Sequence, residues 1–251
     1  MELTVVDHIP ETEVHLYCLS DVHLGSPDCD EELFRHDLAN IEADPQARVI
    51  INGDLLQMDL KASKGDVYSQ KYSPTQQKDL AEELLSPIKG KILAMIGGNH
   101  DEGRSQENYS PIRDLARFLG VVYCDTEVCM EIPVGRKPNG KHAAYVVFAT
   151  HGWSSGRQMG GKINNLHRLS EIVLADVYVI SHTHTPMAFP DEYNVPDLYN
   201  KRIRRVRRHY VNTGSYQKRG RYPMSKGMRP TVLGTPRITL SGKRKHVYVT
   251  I

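Results

Sequence analysis

Five times between residues 14 and 184 a short apolar run stops abruptly at side chains that bind metals or carry protons. Residues 14–20 lead into Asp21-Val22-His23, residues 48–52 into Gly53-Asp54, and residues 92–96 into Gly97-Gly98-Asn99-His100-Asp101. Residues 143–149 lead into Thr150-His151-Gly152, and residues 177–180 into Ser181-His182-Thr183-His184. Runs this short read as buried strands rather than helices. Gly97 and Gly98 allow the chain to turn sharply where the third run ends. The clusters then fall at the lip of a sheet, where α/β proteins hold their ligands.

The segments between these strands read mostly as helices. Residues 30–43 carry Leu33, Leu38 and Ile41 among charges, and residues 75–88 carry Leu80, Leu84, Leu85 and Ile88 on one face, with Pro87 set to break the last turn. Ser110-Pro111 is a helix start, and Gly120 closes that helix. Residues 163–174 form a further amphipathic pattern, and residues 121–134 hold two short strand patterns. Lys137-Pro138-Asn139-Gly140-Lys141 is a hairpin turn signal. Residues 60–73 read as a polar loop and residues 186–200 as irregular, with the last strands at 210–211, 236–240 and 247–251. With no repeat and no linker, residues 1–251 are expected to form a single domain with a basic C-terminal segment, 201–251.

That segment holds 15 of the 32 Lys and Arg residues and no Asp or Glu, which leaves 17 basic against 30 acidic residues in the first 200. A basic end on an acidic body suggests either a positive wall for an anionic ligand or charge compensation along a solvated edge. Lys201, Arg202, Arg204, Arg205, Arg207 and Arg208 fall within eight residues just before Asn212-Thr213-Gly214-Ser215, so they are expected near the mouth of the site and able to contact nucleic acid. No run approaches a membrane span, so no membrane partner is expected. The first residues lack a signal-peptide pattern, and Cys18, Cys29, Cys124 and Cys129 form no disulfide framework. Reduced thiols in a cytoplasmic protein are the expectation, with Cys18 in the core.

Taken singly, each cluster is weak: an isolated Asp-x-His is usually a capped turn. Together they are not. On an extended chain the two-residue spacing of His182-x-His184 and of Asp21-x-His23 sends both side chains to one side. Carboxylates and imidazoles buried together are costly unless a cation pairs them.

The five blocks, in this order, resemble the signature blocks of the calcineurin-like metallophosphoesterases, with Asn212-Thr213-Gly214-Ser215 similar to a further turn. The resemblance implies a four-layer α/β/β/α sandwich of two mixed sheets, with a site for two divalent metal ions on loops at one edge. It implies that Asp21, His23 and His184 hold one metal, that Asn99, His151 and His182 hold the other, and that Asp54 bridges them. The N and O ligands suit Mn²⁺ foremost, with Fe or Zn²⁺ as alternatives. The implied chemistry is in-line attack on phosphorus by a hydroxide made available by the metals. His100 would donate a proton to the leaving oxygen or a hydrogen bond to phosphate, with Asp101 orienting its ring. Two positions depart from the pattern. Gln57 stands where the second block carries another Asp, with Asp59 two residues on, and Ser181 stands where the last block opens with Gly. Neither is an expected ligand, so the departures bear on the support of the site.

The substrate is less constrained than the chemistry. A phosphodiesterase acting on nucleotides, cyclic nucleotides or similar small diesters is the leading expectation. The alternatives are a DNA or RNA nuclease using the basic segment, a phosphomonoesterase, and a binding scaffold like the member of this fold in the retromer complex. The presence of every expected ligand argues against the scaffold. Trp153 either walls the substrate pocket or packs in the core. The glycine-bearing stretch 156–162 is either a phosphate-contacting loop, with Arg157 or Lys162 reaching in, or a plain connection.

Overall fold

The computed structural model describes residues 2–60, 67–102, 109–136, 140–153, 156, 158–220, 224, 227 and 229–251. Among these, twelve strands form two six-stranded mixed sheets. One sheet has β2 (Glu13–Leu19), β3 (Ala47–Asn52), β4 (Ile92–Ile96) and β5 (Val122–Cys124) in parallel, extended on the β2 side by antiparallel β11 (Arg237–Ser241) and β12 (Val247–Thr250). The other runs β1 (Leu3–Val5), β6 (Glu127–Val134), β7 (Ala143–Thr150), β8 (Val177–Ile180), β10 (Arg202–Asn212), β9 (Met187–Asp197).

Period-two alternation explains why the sheets stack. Leu16, Cys18, Ile50, Ala94 and Ile96 point into the layer between the sheets, where they meet Val147, Val177, Val179 and Val211. Their neighbours Leu19, Val49, Ile51 and Met95 point the other way, under α1 (Glu31–Ala43), α2 (Pro74–Leu85) and α3 (Pro111–Leu119). On the far side Phe148, Tyr178 and Tyr210 are covered by Leu166 of α4 (Met159–His167) and by Leu169. Two faces buried on every central strand give the expected four layers. Cys18 is in the core, and all four cysteines are free thiols.

Local signals set the helix ends. Asp30 caps α1 by accepting from the Leu33 N–H, and Ser73 and Gln76 form a reciprocal cap on α2. Ser110 caps α3, and Gly120 ends it in a left-handed conformation. Pro87 acts as expected: α2 tightens into a 3-10 turn, Ser86–Lys91. Elsewhere the sequence expectation fails. The helix expected over 163–174 starts earlier, at Met159, and gives way to a 3-10 turn at Arg168–Glu171. β1 was not foreseen. The hairpin signal at 137–141 falls partly outside the described residues, although β6 and β7 do pair antiparallel up to Val134 and Ala143.

The largest correction concerns residues 186–212. The stretch expected to be irregular is the eleven-residue strand β9, paired along its whole length with β10. β8 reaches β10 only at His209–Asn212, so the rest of the pair continues beyond β8 as a two-stranded ribbon. Because β10 runs parallel to β8, its Asn212 end sits beside the site-bearing strand ends and its Arg202 end points away. At about 3.3 Å per residue, Arg202 lies roughly 33 Å along the strand from Asn212. The basic cluster therefore does not line the mouth of the site. Four of its six charges are met along the ribbon: Arg207 bonds Glu192 at 2.6 Å, Arg202 and Arg204 approach Asp197, and the buried Arg208 lies over the Tyr193 ring.

Candidate metal centre

All five clusters arrive at one edge of the sandwich. Asp21 and His23 follow β2, Asp54 follows β3, Asn99 and His100 follow β4, His151 follows β7, and His182 and His184 follow β8. Their donor atoms converge into three overlapping groups: Asp21, His23 and His184; His23, Asp54 and His100; Asp54, His151 and His182. The His184 Nε2 is 3.1 Å from Asp21 Oδ1 and 3.4 Å from His23 Nε2. In the other half the His151 Nε2 is 3.3 Å from His182 Nδ1 and 3.2 Å from Asn99 Oδ1. Asp54 lies between the halves, its Oδ2 being 3.3 Å from His151 Nε2 and 3.8 Å from His23 Nε2.

The backbone achieves this convergence in an unexpected way. The expectation was an extended chain at Asp21-x-His23 and His182-x-His184. Instead Asp21, His23, Asp54, His182 and His184 all have positive φ, between 49° and 68°, and they are five of the seven such non-glycine residues among those described. Left-handed backbone costs an L-residue about 1–2 kcal/mol. Its concentration here marks a region where the surroundings over-determine the chain, as functional sites do. Glycine is required beside it: a Cβ on Gly53 would strike the His151 ring and Gly98, and one on Gly98 would strike Asp54.

Hydrogen bonds fix the rings. His151 Nδ1 donates to the Asn52 carbonyl at 2.9 Å, which leaves Nε2 facing the centre. His23 Nδ1 is 3.0 Å from Gln57 Oε1, and Gln57 donates in turn to Asp59 at 2.8 Å. The first departure from the family pattern thus supports His23 through an amide backed by a carboxylate. The second, Ser181, accepts from Asn52 at 2.6 Å and from Thr213 at 2.9 Å, tying three strand ends together. Ser20, bonded to Asp21 and Thr213, completes the net. Asn52 and Ser20 carried no sequence signal of their own, and Thr213 only as part of the turn at 212–215, since a buried amide or hydroxyl is recognised only once its partners are in place.

Asp101 is fully buried, and its carboxylate accepts from the backbone N–H groups of Leu55, Leu56 and Gly98. It staples the Asp54 turn to the Asn99 turn, whereas the sequence expectation had it orienting the His100 ring. His100 is half-buried at the lip, its backbone N–H donating to Asp54 Oδ1 at 2.7 Å and its ring edge-on to His23. Asn99 and Trp153 are exposed there, so Trp153 is not core packing. Arg157 lies outside the described residues.

The electrostatics fit cations. Burial would raise the pKa of both clustered carboxylates, but His184 with His151 outweighs it at Asp21, holding it at about 2, and His151 with His23 and His100 outweighs it at Asp54, which lies well below the usual range. His151 is itself raised to about 10: burial opposes its charge, and Asp54 overrides burial. His23 is pushed well down by burial and by His100, and His182 is lowered by burial and by His151. Burial and Asp54 raise Asp101 to about 8. His151 holds a proton as positive charge beside Asp54, while Asp21 Oδ1 makes no well-formed hydrogen bond although the His184 Nε2 lies 3.1 Å away. A divalent cation would satisfy both, and imidazole with carboxylate is a donor set for such ions.

A family model described as calcineurin-like phosphoesterase matches residues 14–213. No curated protein matches. Among solved structures, the chain is similar to a predicted phosphoesterase from Streptococcus pneumoniae at 13% identity and TM-score 0.44, covering 95% of this chain and 90% of that one. It is similar to a single mutant of Vps29 from Entamoeba histolytica at 10% identity and TM-score 0.46, covering 94% and 90%. It is also similar to the nuclease MPE of Pseudomonas putida at 12% identity and TM-score 0.39, covering 94% and 87%. With the family model spanning every cluster and most of the chain, this protein belongs to the calcineurin-like phosphoesterase family.

Proposed function

We propose that this protein is a phosphodiesterase that binds two divalent metal ions, Mn²⁺ foremost, and hydrolyses small diesters such as nucleotides or cyclic nucleotides. The observation that carries the reading is the position of Asp54, whose one oxygen faces donor groups on both sides, at 3.3 Å from His151 and 3.8 Å from His23. That arrangement supports two metal positions bridged by Asp54, with Asp21, His23 and His184 on one side and Asn99, His151 and His182 on the other. When bound, such a pair supplies Lewis-acid charge and activates water near neutral pH.

The rest is the work of side chains. Asn99, exposed at the lip, is placed to donate its amide to a phosphate oxygen. His100 sits beside it and supplies the proton that a departing alkoxide needs. Asp101 holds the turns that carry both. Trp153, 40% exposed two residues after His151, supports the reading of a pocket wall. The ribbon carries Lys201, Arg202, Arg204, Arg205, Arg207 and Arg208 away from the centre, which favours a small diester over a polymer tracked by those residues into the site. The free cysteines support a reducing, cytoplasmic setting.

The test is hydrolysis by metal-stripped protein, re-supplied with Mn²⁺, of bis-p-nitrophenyl phosphate beside p-nitrophenyl phosphate. The diester should be preferred. A preference for the monoester would make the protein a phosphatase, and no turnover of either with metal bound would make it a scaffold.

A further inference from the structure

Lys162 lies on α4, on the outer side of the sandwich, yet its ammonium reaches the loop between the two last ligands. The Nζ donates to the Thr183 carbonyl at 3.0 Å and to the Thr185 hydroxyl. Thr183 is held from two other directions. Asn212 donates its amide to the Thr183 hydroxyl at 2.7 Å, and the Thr183 N–H donates to the Ser181 carbonyl at 2.7 Å. The Thr185 hydroxyl also donates to the Thr183 carbonyl, at 3.0 Å. The residues on either side of Thr183 are His182 and His184, with φ of 68° and 52°.

A short loop with two left-handed non-glycine residues does not hold that shape unaided. β8 ends at Ile180, so no strand ladder reaches this far. The carbonyl between the two histidines therefore needs donors, and it has two: the Thr185 hydroxyl from its own loop, and the Lys162 ammonium, which ties it to α4. The lysine is kept there against its own preferences. It is half-buried, no carboxylate lies within ion-pair distance among the described residues, and burial and then Arg229 both act against its charge. A solvated lysine on this helix would avoid that cost.

The geometry points to Lys162 as a positioning residue that locks the Thr183 peptide, and so sets the His182 and His184 rings for the two metal positions. This inference rests on the metal-centre reading above. It differs from a phosphate contact by Lys162, because two of its three N–H donors are already spent on the loop.

Calorimetric titration of the metal-free full chain with Mn²⁺ and with Zn²⁺ tests it independently of turnover. Lys162→Met keeps the stem and removes the donors. It should weaken metal binding about 10-fold or more, as loss of groups that orient ligands does. The metal-free melting temperature should stay near that of the wild type. Lys162→Arg should restore most of the affinity, since a guanidinium can donate to the same oxygens. Thr185→Val, which removes one acceptor of Lys162 and also the hydroxyl that donates to the Thr183 carbonyl, should weaken binding in the same direction and serves if Lys162→Met fails to fold. Wild-type affinity in Lys162→Met or in Thr185→Val would overturn the inference, including the case where only KM for the diester rises in Lys162→Met, which would make Lys162 a substrate contact. Wild-type protein that binds no metal would overturn both this inference and the proposed function. Wild-type protein that binds metal but hydrolyses no diester would overturn the proposed function alone.

Discussion

The metal-centre end and the ribbon end of this molecule are both dense in charge, and they handle it in opposite ways. At the centre, Asp21 and Asp54 are buried among imidazoles, which hold both carboxyls below the usual range against the effect of burial. At the ribbon, Arg202, Arg204 and Arg207 are exposed and meet carboxylates one strand away in water. The first arrangement is suited to a cation that would complete it, whereas in the second the paired arginines are already matched across the strands. Charge density alone is therefore a poor guide to function. Burial, and what is left unmatched, decides.

The comparison can be broken most decisively at Asp54. Asp54→Asn should remove binding at both metal positions and lower turnover by on the order of 10³-fold or more, as loss of a central catalytic element does; a metal-replete, active variant would end the bridging assignment. Next comes His100. His100→Asn should leave metal content intact but cut turnover by about 10²-fold or more for substrates with poor leaving groups. Equal losses across a series of leaving groups would remove the proton-donor role. Gln57→Leu takes away the acceptor that orients His23 and should weaken metal binding by about 10-fold, read by calorimetry beside the wild type. No change there would mean that His23 is fixed by packing alone.

The smallest effect is expected at the ribbon. Arg207→Ala breaks the 2.6 Å contact with Glu192, yet exposed ion pairs typically contribute about 0.5 kcal/mol or less, so stability in urea should barely move. Turnover of the small diester should not change, because the residue lies away from the centre. A large loss of turnover would bring the ribbon back into the active site and narrow the contrast between the two ends.

Much of the centre was legible in the chain because each Asp, Asn or His cluster is local. An apolar run of four to seven residues with a β pattern must end somewhere, and the residues that follow are fixed to that strand end whatever the rest of the fold does. The same holds for helix starts such as Ser110-Pro111, where the capping atom and the capped N–H are three residues apart. The ribbon was illegible for the opposite reason. Pro190 and Pro196 with Asp191, Glu192 and Asp197 read as a loop, and only pairing with Arg202–Asn212 makes that stretch a strand.

The sequence by itself determined which residues gather at one sheet edge, because strand direction and strand-end position are set by local apolar pattern and by the glycines that stop it. Only the tertiary structure decided how they face one another: the left-handed turns at Asp21, His23, Asp54, His182 and His184, the Asp101 staple, the Gln57 and Asp59 support of His23, and the reach of Lys162 to Thr183. It also decided that the arginines of β10 point away. Each of these depends on hydrogen bonds or pairings between chain segments that no single stretch contains, and a conformation costly in isolation is held only when such partners arrive together.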